Sequence, residues 1–153
     1  MPIPMRRMFV NYSRRDLTVL LSGLAAARAT AQKSVLPSKT YAYEDLAVHT
    51  NGRNHSRPIL QGETHSGCPI ELHETELAPG ERPHPPHHHA HEEMVLVREG
   101  TLEVTISGKS VNLGPGSVGF VASNEEHGWR NVGSSNAKYW VIALGGTNTV
   151  SAM

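Results

Sequence analysis

The chain has 153 residues, enough for one ordinary domain with little room for a second. Its fourteen basic residues balance fourteen acidic ones, which argues against a nucleic-acid binder. No apolar run reaches the roughly 18 residues of a membrane span, so no stable membrane anchor is expected. One cysteine, Cys68, excludes an intrachain disulfide and every CxxC motif. The unusual figure is ten histidines, because histidine is the commonest metal ligand.

The neutral total hides a break near the N-terminus. Residues 1–31 hold five arginines and one acid, Asp16, leaving nine basic and thirteen acidic residues (net −4) and all ten histidines for residues 32–153. In this first segment, arginines precede the short apolar stretch from Leu17 to Ala27, and Ala29-Thr30-Ala31 supplies small residues where a signal peptidase reads. The segment reads as an export signal cleaved before Gln32, and the mature protein as periplasmic or secreted. Ser13-Arg14-Arg15 resembles a twin-arginine signal, with Leu17 where Phe is usual. An ordinary secretion signal or an amphipathic helix is the plainer alternative.

Residues 32–42 read as an extended arm. Beyond them, short alternating runs recur between Gly and Pro, which predicts an all-β domain. The candidate strands are 56–63, 70–77, 93–98, 101–107, 111–113, 117–122, 128–132 and 138–144. In Thr101–Ser107, Leu102, Val104 and Ile106 share one face, and Ser107-Gly108-Lys109 predicts a hairpin turn. Regularly spaced short strands suggest a sandwich or closed barrel over residues 43–146. Residues 147–153 read as a tail.

The chemical centre is His84-Pro-Pro-His87-His88-His89-Ala90-His91-Glu92-Glu93. It is either a flexible metal-scavenging tract or a built site. If the segment is extended, His87 and His89 point to one side about 6.6 Å apart, and Glu93 shares their phase. Val95 and Val97 continue that face, which puts Glu93 at the mouth of an apolar interior. His84, His88 and His91 are expected on the loop or outer face, with His91 a candidate hydrogen-bond partner of a ligand. Counted back from Leu77, Thr75, His73 and Glu71 point inward, which makes His73 a candidate catalytic base or substrate contact. Counted from Ile70 and Leu72, they point outward. His49, His55 and His65 are expected at the surface. Trp129, in phase with His127 and Asn131, is pocket wall or core. Arg57 and Arg130 either bind an acidic substrate or are solvated.

His87-x-His89-x3-Glu93-x6-Gly100 resembles the first motif of the cupins. Gly114-Pro115-Gly116 followed by His127-x3-Asn131 resembles the second, with Pro115 shifted against Gly116 and Ser117 where Asp is common. The resemblance implies a jelly-roll barrel (the double-stranded β-helix) and His87, His89, Glu93 and His127 as metal ligands. It gives Asn131 a structural role and implies a homodimer. Three imidazoles and one carboxylate, with no thiolate, suit one divalent transition metal. Mn or Fe is favoured, Ni, Co, Zn or Cu is also compatible, and about two coordination positions stay open. The expectation is a small metal-dependent enzyme of dioxygenase-like type acting on a small organic substrate, with Glu93 able to move from ligand to base. A metal-dependent isomerase or lyase, a germin-like superoxide or oxalate activity, and a non-catalytic binding or sensing protein share the same ligand set.

Overall fold

The computed structural model describes residues 35–145. The expected export signal (1–31), the first residues of the arm and the expected tail (147–153) lie outside the described residues. From residue 35 the chain runs through a 3-10 turn, Tyr43–Asp45, into nine strands. These are β1 His49–Asn51, β2 Asn54–Glu63, β3 Pro69–Leu77, β4 Glu92–Glu99, β5 Leu102–Ile106, β6 Lys109–Leu113, β7 Val118–Val121, β8 His127–Asn131 and β9 Ala137–Leu144. All described strand pairs are antiparallel. They form a six-stranded sheet, β1-β2-β3-β9-β4-β7, and a three-stranded sheet, β6-β5-β8, the two layers of a jelly roll. The expected strands are present. β1 is additional: three residues with no apolar member give no alternation to read.

The hairpin predicted at Ser107 forms, with Ser107 and Gly108 both at positive φ (47° and 76°), as a two-residue turn joining β5 and β6 requires. The core is apolar alternation seen from inside. β5 gives Leu102 and Val104, β8 gives Trp129, β4 gives Val95 and Val97, β9 gives Ala137, Tyr139 and Val141, and β3 gives Leu77.

Register carries this core into a polar end. Across β3, β9 and β4 the inward rows run Thr75–Tyr139–Val97, then His73–Val141–Val95, then Glu71–Ala143–Glu93. One end of the interior is therefore hydrocarbon, and the other is lined by ionisable groups.

The opposite phase of β3 faces the outer side, yet Glu74 there is only 1% exposed. The arm explains it. Leu36 donates its backbone N–H to Glu63, and Tyr43 donates its hydroxyl to Glu74 Oε1 at 2.9 Å. Arg98 reaches Glu74 Oε2 at 3.0 Å, and Arg57 and Arg98 both stack against the Tyr43 ring. The burial of this carboxylate is thus matched by a hydroxyl and two guanidinium groups.

Candidate metal centre

The loop between β3 and β4 carries the histidine run, and backbone pairing fixes where it lies. His87 N–H donates to His127 O at 3.0 Å and His127 N–H returns to His87 O at 2.9 Å, which lays the loop against the start of β8. Asn124 N–H donates to His89 O, and the Ser123 hydroxyl to Ala90 O at 2.7 Å. These contacts pin a bend at Ala90 and His91. The His91 ring folds back to stack on His89, 3.4 Å between centroids and 11° between planes. Glu93, second in β4, and His127, first in β8, point inward and are buried.

The donor atoms converge. His127 Nδ1 lies 2.9 Å from Glu125 O, and His89 Nδ1 lies 2.9 Å from His91 O. Each Nδ1–H therefore donates to a carbonyl, which leaves a lone pair on each Nε2 in the neutral ring. Both Nε2 atoms face the same Glu93 Oε2, at 3.0 Å and 3.4 Å. Acceptor facing acceptor is repulsive without a proton or a cation between them. His89 Nε2 and His87 Nδ1 are also buried with no hydrogen-bond partner.

Donor atoms of His87, His89 and His127 lie within 4.8 Å of one another, as do those of His89, His91 and Glu93. Metal–nitrogen bonds of about 2.1 Å put adjacent donors about 3 Å apart and opposite donors about 4.2 Å apart. The donors suit a divalent transition ion in chemistry, and the two triads meet at His89, although His87 and Glu93 do not fall within one triad.

The electrostatics follow from the packing. Burial, with His84, His127 and His89 nearby, pushes His87 down to about 4. Burial pushes Glu93 up, but the hydrogen bond to His127 and the imidazoles of His89 and His91 hold it below its ordinary value. Burial pulls His127 down, and the bond to Glu93 more than reverses this. His91 is lowered by burial and by His89.

The centre opens into a cavity of about 460 Å³. His73 and Glu71 line it, so the phase counted from Leu77 is the one the fold adopts, and His73 Nδ1 sits 2.7 Å from Glu71 Oε1. Trp129 is both wall and core. It lines the cavity, lies 5.6 Å from the His127 ring and donates to the Tyr139 hydroxyl at 2.9 Å.

Four of the other histidines also line this cavity: His84 and His91 from the loop where they were expected, His49, which is exposed as expected, and His55, which is half-buried rather than at the surface. The β1–β2 hairpin carries His49 and His55 to the rim, and the pinned bend turns His91 inward. His91 has a signal in the sequence, since residues 87, 89, 91 and 93 alternate in one phase. His65 and His88 are exposed, as expected. Neither Arg57 nor Arg130 lines the cavity. Arg57 faces Glu74, and Arg130 pairs with Glu103 at 3.0 Å.

Residues 73–143 match the family model described as "Cupin domain". No curated protein matches the sequence. Solved structures share the fold at low identity. An RmlC-like cupin from Shewanella frigidimarina has a TM-score of 0.60 at 18% identity, covering 72% of this chain and 95% of its own. KdgF from Halomonas sp. gives 0.62 at 14%, covering 71% and 95%. The polyketide cyclase RemF from Streptomyces resistomycificus gives 0.57 at 18%, covering 75% and 89%. A sugar phosphate isomerase and an oxalate decarboxylase share the fold as well, so one architecture serves several reaction classes.

Proposed function

From a chain that carries a cupin domain and folds as cupins do, we propose a metal-dependent enzyme. It takes one divalent transition metal on His87, His89, Glu93 and His127 and acts on a small organic molecule beside it. The observation that carries this reading is the pair of imidazole Nε2 atoms aimed at one Glu93 oxygen. Bound there, a transition ion supplies Lewis acidity, and Fe or Mn supplies redox chemistry too. The nitrogen and oxygen donors suit Mn or Fe, and accept Ni, Co, Zn or Cu.

The chain's own residues divide the remaining work. Glu71 accepts the Nδ1–H of His73, so His73 Nε2 is the basic atom and His73 the candidate proton acceptor. Glu93 is the second group able to take a proton. Trp129, Tyr139 and Val141 form a wall that excludes water.

The finer reading is a dioxygenase-like reaction. It is supported by a donor set that contains the two-His-one-carboxylate pattern and leaves positions free. The His73–Glu71 pair favours a second reading, proton transfer by an isomerase or lyase. Oxygen uptake by Fe(II)- or Mn(II)-loaded protein across a panel of phenols, diketones and hydroxy acids tests them. Oxygen consumed in step with product supports the first, and turnover without oxygen supports the second. Ligand binding without turnover in either assay supports a non-catalytic binding or sensing protein.

Two further proposals concern setting. Export to the periplasm or medium is supported by the arginines, apolar stretch and small residues of segment 1–31, and cell fractionation tests it. A homodimer is supported by the outer face of the larger sheet. There the register aligns Leu60, Leu72, Ile142, Met94 and Phe120 across five strands. Trp140, Val118 and Phe120 on that face are 37%, 54% and 51% exposed. A second copy laid face to face covers them. Light scattering should give twice the chain mass, and Phe120→Glu should shift it to the single-chain value.

A further inference from the structure

The cavity beside the metal position carries no fixed positive charge. Among the described residues that line it, none is Lys or Arg, whereas Glu71 and Glu93 both line it. Arginines on neighbouring strands are engaged elsewhere: Arg57 and Arg98 around Glu74, Arg130 on Glu103.

Charge can be counted end by end. At one end, Glu93 takes one of the two charges of a divalent ion and leaves room for one anionic oxygen. At the other, a proton on His73 only balances the Glu71 carboxylate, and the remaining histidines of the rim, His49, His55 and His84, carry no fixed charge. A phosphate or second carboxylate placed there would lose its water, face Glu71 and find no guanidinium or ammonium to replace that water.

The walls add shape. Trp129, Tyr139, Val141, Pro58 and Pro83 offer flat or apolar surface. Glu71 and Glu93 share a register row two strand spacings apart, about 9.6 Å between backbones. One six-membered ring with an oxygen substituent at each end bridges such a gap.

We propose that the cavity selects an uncharged hydroxylated ring compound and rejects molecules that carry a phosphate or carboxylate opposite the oxygen at the metal position. One ionisable oxygen of the ring lies at the metal position, and a neutral hydroxyl meets the His73–Glu71 pair. This rests on the metal-site reading above.

The test uses the full chain loaded anaerobically with Co(II), with cobalt content measured first. Three probes are titrated by calorimetry and by the Co(II) visible bands: 3,4-dihydroxybenzyl alcohol, 3,4-dihydroxybenzoate and glucose 6-phosphate. The alcohol should bind at least tenfold more tightly than the benzoate, and glucose 6-phosphate should leave the bands unmoved. Glu71→Gln should bring the alcohol-to-benzoate ratio toward one by removing the carboxylate the benzoate faces. Benzoate or sugar phosphate binding as tightly as the alcohol overturns the proposal. So does silence from all three probes on protein that holds a full equivalent of Co(II), and the metal reading then stands. Protein that takes up no Co(II) refutes the metal reading itself, and the proposal with it.

Discussion

Asn131→Ala should cost stability without touching the metal. Asn131 is fully buried four residues beyond His127. Its Nδ2 donates to Leu77 O at 2.9 Å and Ser135 O at 2.8 Å, and its Oδ1 accepts from Gly133 N–H at 2.9 Å. The side chain thus ties the end of β8 to the end of β3 and to the loop before β9. Truncation orphans Leu77 O in the core, at about 1–3 kcal/mol, and weakens the half-buried Gly133 N–H by about 1 kcal/mol more. Ser135 is exposed, so its carbonyl recovers a water. The expected loss is about 2–4 kcal/mol, a large share of the 5–15 kcal/mol typical of a domain. Urea unfolding of metal-free protein reads it directly, as a lower midpoint with unchanged slope. Asn131→Asp, which sets a carboxylate against two carbonyls, should be at least as harmful. A loss under about 1 kcal/mol for the alanine variant would refute the reasoning.

Gly100 sits at φ +76°, and a Cβ there would lie 2.7 Å from Ala137 Cα and 2.8 Å from Asn136 O. Gly100→Ala should cost about 2–4 kcal/mol, from backbone strain plus overpacking. Gly114→Ala, whose Cβ would meet nothing within 4 Å, should stay near wild type in the same urea titration. The histidines of the centre give the metal-free protein an asymmetric pH response. His87 is held down to about 4, below its unfolded value of 6.5, so unfolding takes up a proton between these values and stability falls as pH drops through that window. His127 has the opposite sign: its pKa is raised, so its contribution is full below 6.5 and is lost as pH rises through the folded value. Thermal midpoints from pH 4.5 to 6.5 should rise in wild type and flatten in His87→Gln. Equal slopes in the two proteins would contradict the assignment.

Strands with apolar alternation were legible from sequence because period two survives wherever one face is buried, as in Leu102, Val104 and Ile106. β1 was not, since His49-Thr50-Asn51 belongs to a hairpin that borders the cavity rather than the core. The phase of His73 was ambiguous for a physical reason. β3 is covered on both sides, by the cavity over His73 and by the Tyr43 clip over Glu74, so no clean alternation marks its faces. His87, His89 and Glu93 could be grouped by spacing. His127 needed the resemblance, because β8 is brought to the loop by long-range backbone pairing, of His87 with His127 and of Gly80 and Glu81 with Asn131. His91 shares the phase of His87, His89 and Glu93, but the bend that lays its ring on His89 is pinned by Ser123 and Asn124, more than thirty residues away, which no local pattern announces.

The central claim is that His87, His89, Glu93 and His127 hold one metal ion. Metal analysis after loading and desalting tests it most directly, run on wild type, His89→Ala, His127→Ala and His88→Ala, each first checked for native β structure by circular dichroism. Wild type and His88→Ala should keep close to one equivalent per chain, because His88 is exposed and outside the donor cluster. His89→Ala and His127→Ala should lose most of it. Full occupancy in folded His89→Ala and His127→Ala, or loss in His88→Ala to the same degree, would contradict the account.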